Sequence, residues 1–201
     1  MGGERLMKLY IILVFMFVVG SFTSCEESDL SIDTLYNEVD TTGAALRMLS
    51  YPDDLVSVSG GNFSNCMCYS MEVQEGQGTP TPDFKEVRVY FSSYNDQDTE
   101  FPTTDADGNE FSEVLYQTIS NPEFDQLSST NNLPMYELSI PMEELITAFP
   151  GAQFTVPSFI VTRFELEMND GRVWSVNNAG ATMSGPYFES AFARKTIFLN
   201  I

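Results

Sequence analysis

Ile160-Val161-Thr162-Arg163-Phe164-Glu165-Leu166-Glu167-Met168, followed by Asn169-Asp170-Gly171 and then Arg172-Val173-Trp174-Ser175-Val176, is the stretch that decides the fold. Ile160, Phe164, Leu166 and Met168 alternate with Val161, Arg163, Glu165 and Glu167, the period of two expected of a strand with one dry and one wet face. Asn169-Asp170-Gly171 predicts a tight hairpin into Val173 to Val176. The same alternation recurs elsewhere. Phe63, Met67, Tyr69, Met71 and Val73 oppose Ser64, Cys66, Cys68, Ser70 and Glu72, and Val87, Val89 and Phe91 oppose Glu86, Arg88 and Tyr90. Ala44 to Leu49, Glu113 to Ile119, Met135 to Ile140 and Lys195 to Ile201 are further strand candidates, separated by Gly, Pro, Asn and Asp clusters. The fold class expected is all-β, a sandwich of about seven to eight strands.

One helix interrupts the strands. Met142, Leu145, Ile146 and Phe149 fall at helical spacing after Pro141, with Glu143 and Glu144 in the first turn and Pro150-Gly151 as a stop. Two turns of helix between strands predict a crossover from one sheet to the other.

The chain has 201 residues, 43% of them hydrophobic, enough for one well-buried domain. It carries 29 acidic and 9 basic side chains, a formal charge of -20, so an electrostatic grip on nucleic acid or anionic lipid is excluded as a mode of binding. There is no histidine. Ser-His-Asp and Cys-His nucleophiles, histidine-ligated zinc and imidazole acid/base chemistry are therefore absent.

Arg5 and Lys8 precede the apolar run Leu9 to Val19, then Gly20, Ser21, Phe22, Thr23, Ser24 and Cys25. As a helix that run rises about 16 Å, against roughly 30 Å of hydrocarbon, so it reads as a cleaved signal peptide over residues 1–24 rather than a membrane span. Phe22-Thr23-Ser24-Cys25 resembles the lipobox of bacterial lipoproteins, which makes Cys25 the expected lipidation site. Residues 25–42 follow as an acidic tether with Glu26, Glu27, Asp29, Asp33, Glu38 and Asp40 and no basic residue, up to about 60 Å at full stretch. Residues 43–201 hold the sandwich. Acidic residues after the lipidated cysteine resemble the signal that exports Bacteroidota lipoproteins to the cell surface; a periplasm-facing protein with a solvated linker is the alternative.

Several residue groups invite chemistry. Cys66-Met67-Cys68 on a strand would hold its Cα atoms near 6.5 Å, at the limit of disulfide reach. Unbridged thiols are the reading preferred, with a strained disulfide or an intermolecular bridge as alternatives. Asp105-Ala106-Asp107-Gly108 does not meet the EF-hand spacing, since the first ligand would be Thr103 and the twelfth Val114. A calcium site joining Asp105 and Asp107 to Asp96 and Asp98 is a weak candidate beside an acidic hairpin loop turned at Asp107-Gly108. Glu165 and Glu167 could serve glycoside hydrolysis only if they flanked a cleft, and alternating charges on an exposed strand explain them without one. Trp174 is assigned to the core. Tyr94, Tyr187 and Phe188 are read as exposed loop aromatics, weak candidates for contacting a ligand. No phosphate-binding glycine loop or nucleophile elbow is present. Catalytic and cofactor-binding residues are assigned to none.

Gly43-Ala44-Ala45-Leu46-Arg47, Met71-Glu72-Val73-Gln74, Glu86 to Phe91, Ser112 to Leu115 with Thr118-Ile119, Asn169 to Arg172 and Ser184-Gly185 through Phe192 carry a family resemblance. Residues 43–201 resemble small Bacteroidota outer-membrane lipoproteins with an immunoglobulin-like domain, comparable to the N-terminal domain of SusE-like proteins of starch-utilisation-type loci. The resemblance implies an immunoglobulin-like β-sandwich with one short crossover helix. It implies a surface-anchored, non-enzymatic accessory lipoprotein of an outer-membrane uptake complex for glycan or peptide, without a cofactor. The partners it implies are a TonB-dependent transporter and a SusD-like lipoprotein. The alternative is a free-standing adhesin or carbohydrate-binding module, calcium-assisted or not.

Overall fold

A computed structural model of the chain describes residues 43–53, 55–59, 62–63, 66–76, 78–95, 101–111, 113–151, 158–179 and 192–199. Among them the strands are β1 (Ala44–Ser50), β2 (Leu55–Ser59), β3 (Asn62–Phe63), β4 (Met67–Glu75), β5 (Phe84–Tyr94), β6 (Val114–Ser120), β7 (Gln126–Leu127), β8 (Pro134–Ile140), β9 (Ser158–Met168), β10 (Val173–Ser175) and β11 (Ala193–Leu199). The one α-helix described, α1 (Met142–Thr147), joins β8 to β9.

The strands form two sheets. The smaller runs β1-β4-β8-β7, and the larger runs β3-β2-β11-β9-β5-β6, with β10 beside β9. Every pairing is antiparallel except that of β11 with β2. Strand β9 serves two neighbours on one side: β11 covers Ser158 to Arg163 and β10 covers Glu165 to Glu167. The result is an all-β sandwich in which α1 carries the chain from the smaller sheet to the larger, as its spacing predicts.

The alternation in the sequence becomes the two faces. Phe164, Leu166 and Met168 of β9 are buried against Tyr69, Met71 and Val73 of β4 and Val87, Val89 and Phe91 of β5 in one apolar core. Each such side chain contributes about 1.5–3 kcal/mol through its removal from water. Tyr69 spans the two sheets. Its hydroxyl donates to Thr162 Oγ1 at 2.8 Å, and its ring meets Phe164 edge-on at 5.2 Å. Burial pushes this phenol far above its ordinary pKa, so it stays protonated and keeps its donor. Leu145 and Phe149 anchor α1 and the turn after it, Phe149 meeting Phe111 edge-on at 5.9 Å.

The hairpin after β9 has the expected form. Gly171 takes φ 88°, and the Asp170 carboxylate accepts from Arg172 N–H at 2.9 Å and Arg172 Nε at 2.6 Å. Trp174 stands opposite Leu166 and packs half-buried against the core.

Several boundaries differ from the sequence reading. The run expected from Phe63 to Val73 is two strands, β3 and β4. Leu55–Ser59 is a strand that the periodicity leaves unmarked, because its partner β11 lies near the other end of the chain. Strand β5 continues three residues beyond Phe91 because the eleven-residue β9 pairs with it as far as Tyr94.

Candidate functional site

The outer face of the larger sheet carries a ladder of paired charges. Lys85 Nζ lies 2.8 Å from Glu167, and Arg88 reaches Glu167 at 3.1 Å, Glu165 at 3.2 Å and Glu86 at 3.7 Å. Arg163 grips Glu113 with Nε and Nη2 at 2.7 and 2.6 Å while its Nη1 meets Glu165 at 2.6 Å. Its guanidinium also lies 4.3 Å from the centre of the Tyr90 ring, and the Tyr90 hydroxyl donates to Glu165 at 3.2 Å. The strand pleat accounts for the contacts between β5 and β9. Arg88 stands opposite Glu165, and Tyr90 opposite Arg163, in the β5–β9 register.

These neighbours set the protonation of the carboxylates. Partial burial works to raise Glu165, but hydrogen bonds and charge from Arg163, with Tyr90 and Arg88 beside it, outweigh that and hold it below the usual carboxylate range. The hydrogen bond from Lys85 does the same to Glu167. The hydrogen bonds that Arg163 donates to Glu113 keep the guanidinium firmly protonated. A glycosidase acid needs a raised pKa, so Glu165 and Glu167 are tuned the opposite way, as members of an ion-pair ladder.

A second feature lies where β6 meets α1. Val114, Leu115, Tyr116, Glu144, Thr147 and Ala148 line an open groove of about 260 Å³. In the β5–β6 register Val89 opposes Gln117 and Tyr90 opposes Leu115, so Tyr116 is the extra residue of a bulge. Bulges re-aim side chains. Here Tyr116 tilts onto Phe91 at 5.0 Å and donates its hydroxyl to Glu144 at 2.6 Å, seating the helix against the strand. Burial first, and the Glu144 carboxylate second, push the Tyr116 phenol up to about 12.

The residues singled out from sequence fare unequally. Asp105 organises a turn: its Oδ1 accepts from Asp107 N–H and Asn109 N–H and its Oδ2 from Asn109 Nδ2, all at 2.9 Å, with Gly108 at φ 84°. The hydrogen bonds from Asn109 hold the Asp105 carboxyl below its ordinary range. Both oxygens are engaged by amides, and among the described residues no group of three or more Asp, Glu, Cys or His could hold a metal ion. Tyr94 is a correction. It ends β5 rather than sitting in a loop, and it stacks on its register partner Phe159 at 4.7 Å, with Lys195 Nζ 3.8 Å from the Phe159 ring centre. The preference for unbridged thiols is a second correction. Cys66 and Cys68 form a disulfide with Cα atoms 5.3 Å apart, because Cys66 precedes the first residue of β4 and escapes the extended spacing. Cys25, Asp96, Asp98, Tyr187 and Phe188 lie outside the described residues.

The groove is the feature that sequence reasoning missed. Its signal was the uncharged run Val114 to Ser120 in so acidic a chain, which alternation alone treats as one more strand. No protein-family model matches the chain, and no curated protein is significantly similar to it.

Proposed function

We propose that the chain is a lipid-anchored, non-enzymatic accessory protein of an outer-membrane nutrient-uptake complex, its sandwich of the immunoglobulin type and held outside the cell by an acidic tether. The observation that carries this is the order Leu9 to Val19, Phe22-Thr23-Ser24-Cys25, then an acidic segment without a basic residue up to Thr42. The strand order supports the immunoglobulin reading. β1-β4-β8-β7 follows the A-B-E-D order of one immunoglobulin sheet and β11-β9-β5 the G-F-C order of the other, the seven falling in chain order A to G. A role without catalysis is favoured by the ladder, whose Glu165 and Glu167 are held ionised by arginine and lysine.

Intact-mass measurement on protein extracted from native membranes tests the anchor. The expected species begins at Cys25 and carries acyl chains, and Cys25→Ser releases the protein from the membrane. Mild-detergent purification tests the partners: co-elution with a TonB-dependent transporter and a SusD-like lipoprotein is expected, and recovery of the chain alone would count against the complex.

A further inference from the structure

The edges of the two sheets are not alike. β3 and β7 are two residues long and β10 is three, while β1 carries Arg47. Short length and charge are among the usual means of keeping an edge from pairing with another chain. β6 ends the larger sheet with seven residues, Val114 to Ser120, none of them charged. Its single bulge turns Tyr116 toward Glu144 and leaves Leu115 50% exposed at the rim of the groove. Among the described residues no strand pairs with its outer side, and only at its last residue is an N–H taken by a side chain, that of Ser120 by Glu123 at 2.6 Å.

We infer that β6 and the adjoining groove form a strand-addition site for an extended segment of another protein in which apolar and basic side chains alternate. Added strands gain affinity from main-chain hydrogen bonds along a free edge and specificity from pockets that take alternate side chains. The groove beside Leu115 and Ala148 is such a pocket. Charge selects the occupant. Glu144 in the groove and Glu123 past the far end of β6 have no ionic partner among the described residues, and the whole chain stands at -20, so a second copy or an acidic segment is repelled where a lysine-bearing one is attracted.

Titration of the full, isotope-labelled chain with a capped nine-residue peptide alternating valine and lysine tests this. Amide shifts are expected to concentrate on Val114 to Ile119, and Leu115→Lys should weaken binding about tenfold or more. A circular dichroism melt confirms that this variant folds, and Glu144→Gln, expected to weaken binding about threefold, serves if it does not. Replacing the peptide's lysines by glutamate should abolish binding. The inference is overturned by shifts spread over the acidic surface without a focus on β6, by equal binding of the glutamate peptide, by unchanged affinity in both variants, or by sedimentation showing that β6 pairs two copies of this chain.

Discussion

Two regions of one sheet, in contact through β5, answer water in opposite ways. On the outer face of β5 and β9, Lys85, Glu86, Arg88, Arg163, Glu165 and Glu167 are charged and paired, whereas the neighbouring β6 is uncharged and its outer edge unpaired among the described residues. The contrast teaches that the conspicuous carboxylates hold the surface together, while the plain strand beside them is what another molecule can use.

The largest test of that contrast is Arg163→Ala. It strips Glu113 and Glu165 of their shared partner and uncovers Tyr90, so a loss of about 2 kcal/mol is expected in urea denaturation. A loss below about 0.5 kcal/mol would make the ladder decorative.

Acid should separate the regions next. Glu165 and Glu167 have folded pKa values below the ordinary 4.5, so the unfolded chain takes up protons first and their contribution, present above 4.5, is lost as pH falls through the lowered values. Urea midpoints between about pH 5 and 3 should fall less steeply in Arg163→Ala than in the parent. An identical slope would show that Arg163 does not set this titration.

At the groove, Tyr116→Phe removes the hydroxyl that meets Glu144 and should cost about 0.5–1.5 kcal/mol at neutral pH. The folded phenol is raised from 10 to about 12, so its stabilising contribution is present below pH 10 and is lost as pH rises toward 12. A spectrophotometric titration of the phenols should show one fewer late-ionising group in the variant. Smallest of all, Leu115→Ser should change stability by less than about 0.5 kcal/mol, since the side chain is already half exposed. A larger loss would mean that Leu115 serves the fold rather than a partner.

Much of this architecture was legible in the sequence. Alternation along Ile160 to Met168 and along Met67 to Val73 places Phe164, Leu166, Met71 and Val73 inside, and so they are. The hairpin at Gly171 and the helix after Pro141 follow equally from local rules. Parity fails at Glu72, assigned to the wet side of β4 yet fully buried. Arg47 Nε comes within 3.4 Å of it from β1, and Asn131 Nδ2 donates to it at 2.6 Å from the turn before β8. No local pattern announces that lid. Of the candidate site, the carboxylates were visible and the groove was not, because it exists only where α1 and the bulge at Tyr116 come together.

What the sequence by itself determined is everything a residue and its near neighbours decide: the two-residue period of the strands, the turns, the excess of negative charge and the absence of imidazole. The tertiary structure alone decided that Leu55–Ser59 runs parallel to β11, that Tyr94 is stacked on Phe159, that Cys66 meets Cys68, and that β6 is an edge among the described strands. Side-chain period is a local property that any strand displays. Which strands become neighbours, and which is left without one, depends on closing loops between distant segments and on how two finished faces fit, and no window of sequence contains that information.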